Sequence, residues 1–145
     1  MKQLQSKLES LNKTLATTIS LSNELDWNPV PSVMIARGTH KYVLITARSE
    51  RQNGGDLSYF VTSKHGAHYH RNAAEAFLPR LEERGYTDIQ VLGGGRINLD
   101  EERRRIEIYG YSYGFGRADH LISKKVIEAD EKYSDYDVTW SNDGY

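Results

Sequence analysis

Three of the chain's five histidines fall in one short run, His65-Gly66-Ala67-His68-Tyr69-His70. A His-x-His pair on a strand presents two imidazoles on one face, a spacing that suits a metal. No Asp or Glu stands in the run to act as a third ligand, so unliganded imidazoles are the better reading. His70 differs from the other two. It stands at the first turn of a helix read from Ala73, Ala76, Phe77 and Leu81. The positive end of a helix disfavours imidazolium, so a ring that is neutral near pH 7 is expected there. A neutral imidazole is a candidate general base. A surface histidine near a helix start has the same sequence.

Two glycine-rich runs point to anions. Gly93-Gly94-Gly95-Arg96 follows a strand and reads as a tight turn, with backbone free to approach a ligand and a planar cation suited to phosphate. It is neither a Walker A loop nor a dinucleotide loop, because it lacks both spacings. Tyr109-Gly110-Tyr111-Ser112-Tyr113-Gly114-Phe115-Gly116 reads as a strand end, a loop and a helix start. There the N–H groups of Ser112, Tyr113 and Gly114 can converge, and a helix from about Arg117 adds its positive end. An ordinary β-to-α turn fits equally well. Lys41 opens the strand Tyr42-Val43-Leu44-Ile45, and alone it is a solvated cation.

Composition narrows the chemistry. There is no cysteine among the 145 residues, which removes disulfides, thiolate zinc sites and every cysteine nucleophile. The net charge of -1 argues against a general nucleic-acid binder. No apolar run approaches the ~20 residues of a membrane helix. Hydrophobic residues at 38% against 27% charged exclude global disorder. Ten Tyr against three Phe suggest aromatic surfaces with polar tips, at an interface or a wet pocket.

These residues need elements to position them. Leu4, Leu8, Leu11, Leu15 and Ile19 recur at helical spacing, so residues 1–30 read as an amphipathic helical extension and linker that ends at Asn28-Pro29-Val30-Pro31. A docked or frayed helix, a short coiled coil and a mitochondrial presequence all fit that extension. The domain proper is read as 31–145. Strands are expected at about Ser32–Ala36, Tyr42–Ala47, Leu57–Thr62, Asp88–Leu92, Arg105–Tyr111 and Asp137–Trp140. Asn72 with Glu75 resembles a capping box for the first helix, Pro79 is expected to kink or divide it, and Gly85 ends it. A second helix is expected at Arg117–Ala129. The densely charged connection Asn98–Arg104 reads as a solvated hairpin tip. The fold class is α/β (α+β), a single domain with a mixed β-sheet flanked by two helices.

Taken in order, Lys41-Tyr42-Val43-Leu44-Ile45, Tyr69-His70, Leu92-Gly93-Gly94-Gly95-Arg96-Ile97, Tyr109-Gly110-Tyr111-Ser112 and the tail Tyr136–Tyr145 resemble the janus-type protein phosphohistidine phosphatase family. The resemblance covers about Lys41 to the end of the chain and is densest after Val91. It implies a mixed sheet with two helices. It implies metal-independent, cofactor-free removal of phosphate from phosphohistidine in proteins, and from some phospholysine. It carries the catalytic proton acceptor onto His70, the substrate-binding lysine onto Lys41, the phosphate-binding loop onto Ser112, Tyr113 and Gly114, and the glycine-rich arginine onto Arg96. Water attack and a covalent phospho-His70 both remain open.

Two departures matter. Thr62 stands where the family often has Arg, and Lys64, His68 and Arg71 are the nearby groups able to replace its charge. Tyr113 and Gly114 replace other small or apolar residues, which backbone contacts would tolerate. The expected partners are phosphohistidine-containing proteins, with no nucleic acid and no membrane. A cytoplasmic monomer is expected, with mitochondrial targeting as the alternative. A non-catalytic module that binds phospho-residues is the competing function.

Overall fold

The computed structural model describes residues 30–144. The extension read at the N-terminus, with Asn28 and Pro29 of its linker, lies outside the described residues. The chain divides after Pro31, and its second unit begins at Ser32.

In chain order the unit contains β1 (Val33–Met34), β2 (Gly38–Arg48), the one-turn α1 (Glu50–Asn53), β3 (Leu57–Ser63), α2 (His70–Glu83), β4 (Thr87–Asp100), β5 (Arg105–Tyr109), α3 (His120–Glu128), a 3-10 turn (Glu131–Tyr133) and β6 (Asp137–Trp140). The six strands form one mixed sheet in the order β1-β3-β2-β4-β5-β6. The two outer pairs, β1 with β3 and β5 with β6, are parallel, and the inner pairs are antiparallel. This is the α+β architecture expected from the sequence.

The two helices cover opposite faces, and the side-chain alternation of the central strand shows why. From Tyr42 to Ala47 every residue of β2 is buried, as expected for a strand covered on both sides. Tyr42 and Leu44 join Val61, Ile97, Leu99, Ile106, Ile108 and Ile127 in the core beneath α3. On the other side Phe60 meets Phe77 of α2 and Tyr86, each with ring centroids 5.5 Å apart. Full burial of side chains of this size stabilises by about 1.5–3 kcal/mol each.

Several boundaries move. The first expected strand shrinks to two residues. β2 begins at Gly38, well before the expected start at Tyr42. α2 starts at His70, so Asn72 is its third residue and not its cap: Asn72 Oδ1 accepts the Tyr69 N–H at 3.0 Å. Pro79 is exposed and lies inside a helix that continues to Glu83, so it does not divide it. α3 begins three residues later than expected, because Asp119 caps it by accepting from the N–H groups of Leu121 and Ile122.

The largest correction concerns the glycine run. Gly93, Gly94 and Gly95 are not a turn after a short strand. They lie inside β4, the longest strand of the sheet. Gly94 pairs with Val43 and Gly95 with Tyr42 of β2. The missing side chains make room for other groups. A Cβ at Gly93 would sit 2.6 Å from Ala118 N, and one at Gly94 would sit 2.6 Å from His70 Cδ2. One at Gly95 would sit 2.7 Å from His120 Cε1. The opposite faces of a strand therefore receive α2 at Gly94 and α3 at Gly95.

Candidate active site

Lys41, His68, Tyr69, His70, Arg71, Ser112, Tyr113, Gly114 and Phe115 line a cleft of about 500 Å³ on the α2 face. His70 is the first residue of α2 and is buried. Its Nε2 lies 2.8 Å from Gly95 O. A carbonyl only accepts, so Nε2 carries the hydrogen and Nδ1 is the basic nitrogen of the neutral ring. Burial holds the His70 pKa below the ordinary histidine value, against the opposing effect of the hydrogen bond that His70 donates to Gly95 O. The charges of Lys41 and Arg96 lower it further. The neutral form expected from the sequence is thus favoured, but the leading cause is burial rather than the helix end.

Lys41 and Arg96 are direct cross-strand partners in the β2–β4 register. Tyr42 and Gly95 face α3, so by alternation Lys41, Gly94 and Arg96 share the α2 face with His70. Arg96 is not among the lining residues, although its charge reaches His70. The other candidates are brought together in the cleft.

Ser112 is held against the same glycine. Gly94 N–H and Ser112 N–H both donate to Gly116 O, at 3.0 and 3.1 Å, and Gly116 N–H donates back to Ser112 O at 2.8 Å. Ala118 N–H closes the set on Gly94 O at 3.0 Å. A Cβ placed on Gly94 would be 3.2 Å from Ser112 Cβ as well as 2.6 Å from the His70 ring. The imidazole and the serine therefore flank one strand position. This geometry corrects the expected loop. Ser112 N–H is committed to Gly116 and cannot also face an anion. The Ser112 hydroxyl accepts from Phe115 N–H at 3.1 Å, which leaves its own hydrogen to donate. The start of α3 also drops out as an anion site, since the Asp119 carboxylate takes up its first N–H groups.

A second histidine backs the site from beneath. His120 Nε2 donates to Gly110 O at 2.8 Å, and Nδ1 accepts from the Tyr42 hydroxyl at 2.6 Å. Ser123 Oγ lies 3.0 Å from that hydroxyl. Burial lowers the His120 pKa and raises that of Tyr42. This buried chain ties the strand carrying Lys41 to the start of the loop carrying Ser112. No motif spacing along the chain points to it.

Of the groups offered in place of an arginine at Thr62, His68 and Arg71 line the cleft and Lys64 does not. Thr62 itself is buried in β3 opposite Val43. Among the described residues no three His, Asp or Glu side chains gather as metal ligands.

A model of the Janus/Ocnus family matches residues 27–137. The chain belongs to the Janus/Ocnus family. Within it, the chain is 38% identical to the 14 kDa phosphohistidine phosphatase of Sus scrofa over 124 residues, which is 83% of this chain and 96% of that protein. It is 38% identical to the human protein of the same name over 120 residues, covering 80% and 94% of the two chains. It is also 33% identical over 141 residues to the sex-regulated protein janus-A of Drosophila melanogaster, covering 96% and 98%. The family match includes every residue named in the cleft.

Proposed function

We propose that this Janus/Ocnus protein is a protein phosphohistidine phosphatase that hydrolyses P–N bonds, with phospholysine as a second substrate. One observation carries the reading. A buried imidazole with its basic nitrogen fixed as Nδ1, and Ser112 with a hydroxyl hydrogen to donate, meet at Gly94 beside the cations of Lys41 and Arg96. The names of the pig and human relatives support the same substrate.

Phosphoryl transfer spreads charge over three equatorial oxygens, so the protein's task is mainly to position the group and stabilise charge. Lys41, Arg96, the Ser112 hydroxyl and the backbone at Tyr113 and Gly114 hold the phosphoryl group. His70 Nδ1 takes a proton from the attacking water as the P–O bond forms and the P–N bond breaks. The leaving nitrogen takes up a proton, either from the imidazolium just formed or from solvent at the open cleft. No metal is assigned a role, and the molecule works in the cytoplasm as a monomer.

The test is phosphate release from a phosphohistidine peptide. The wild-type protein should release it, and His70→Ala should lower kcat by about 10²–10⁴-fold while still binding phosphate. Binding of the peptide by wild type with no release of phosphate would leave only the non-catalytic binding module.

A further inference from the structure

The cleft holds more than the phosphoryl chemistry uses. Its floor is buried: His70 is 6% exposed and Ser112 2%. Its rim is not. Tyr69 is 58% exposed, Tyr113 80% and Phe115 37%, three of the seven exposed large hydrophobic side chains among the described residues. Three such side chains around one opening form a contact surface. Its volume of about 500 Å³ exceeds what one phosphorylated imidazole fills.

The rim also carries a directed cation. The guanidinium carbon of Arg71 lies 4.5 Å from the centroid of the Tyr69 ring. Stacking of this kind pre-organises the planar group and leaves its N–H edges to a carboxylate. Ion pairs among the described residues include Arg48 with Asp88, Arg103 with Asp100, Arg104 with Asp135 and Lys124 with Glu128. Arg71 is in none of them. No Asp or Glu lines the cleft, although the whole chain carries a net charge of -1. A polypeptide with a carboxylate beside the phosphorylated residue is the occupant that this charge and this aromatic rim complement.

We propose that Arg71, seated on Tyr69, selects protein substrates with an acidic residue next to the phosphorylated one, while Tyr113 and Phe115 cover apolar parts of the same segment. The proposal rests on the phosphohistidine reading above and deepens it. Arg71 sits on the exposed rim and the phosphoryl group on the buried floor, so the two contacts are separable.

The experiment compares the full chain with Arg71→Glu and Arg71→Gln on three substrates: free phosphohistidine, a phosphohistidine peptide flanked by Glu, and one flanked by Lys. The wild-type kcat/KM should favour the Glu peptide by about three- to tenfold, mostly through KM, as expected of a solvent-exposed ion pair. Arg71→Glu should reverse that order and Arg71→Gln should erase it. Free phosphohistidine, which has no flanking residue, should be turned over by Arg71→Gln as by wild type, which also shows that this variant folds, while Arg71→Glu is read only in the ratio of the two peptides. Equal rates on both peptides in wild type, or an equal loss on all three substrates in Arg71→Gln, would overturn the proposal. The affinities of the two peptides carrying a non-hydrolysable phosphonate are measured in parallel. Discrimination in binding without any turnover would sink the phosphatase reading and leave the rim standing.

Discussion

At the scale of single residues, His70 is set by one hydrogen bond and by what surrounds it. Gly95 O fixes the tautomer, and burial with Lys41 and Arg96 lowers the pKa. A general base works in its neutral form. The kcat/KM of the proposed reaction should therefore rise with pH through a midpoint below the ordinary histidine value of about 6.5 and stay level above it. Titration of the His70 ring by NMR should give the same midpoint, and an imidazolium at pH 7 would remove His70 as the base. Much of this was legible in the sequence, because Tyr69-His70 stands just before a recognisable helical pattern. What was not legible is the acceptor: Gly95 lies 25 positions away on another strand. The excess of Tyr over Phe hinted at an aromatic surface, yet nothing local marked Tyr69, Tyr113 and Phe115 as its members. Exposure around a cleft is a property of segments far apart in the chain.

At the scale of elements, the glycines of β4 are the point where local reading and tertiary structure part. Three consecutive glycines favour a turn when only the neighbouring sequence is considered. Here the strand is kept by pairing with β2 and β5, and the absent side chains admit α2 on one face and α3 on the other. Gly94→Ala should thus be costly. The new Cβ would meet Tyr42 O at 2.7 Å and the His70 ring at 2.6 Å, and a backbone carbonyl in a central strand yields little. We expect a loss of about 1–3 kcal/mol in stability, as for other overpacked cores. Activity should fall further than stability accounts for, since His70 is displaced. Gly114→Ala is the control. It adds a Cβ where nothing lies within 4 Å and keeps the amide, so its stability should change by less than about 0.5 kcal/mol. Thermal unfolding and turnover measured on both variants test the contrast. Equal behaviour of the two would mean that the glycine at Gly94 is not there for close approach.

At the scale of the whole molecule, the fold class followed from six short strand patterns and two helical ones, but the order of the strands did not. No local feature of β3 says that it lies between β1 and β2, or that β6 runs parallel to β5. The site depends on that order. Lys41 comes from β2, His70 from the start of α2, Arg96 from β4, and Ser112 from the loop after β5. Lys41, His70 and Ser112 meet in the cleft, with Arg96 beside Lys41, only because β2 and β4 pair through Lys41 and Arg96 and because the loop is bonded to Gly94 through Gly116. No helix–turn unit or hairpin contains more than two of the four. Partial unfolding of any layer should therefore dissolve the cleft together with the sheet. In a two-state domain of this size, turnover lost in urea should follow the same midpoint as the far-ultraviolet signal of the sheet and helices. Turnover that vanished at clearly lower urea, with the secondary structure intact, would show that the loop at Ser112 or the start of α2 opens on its own. The site would then be assembled by local order and not by the sheet.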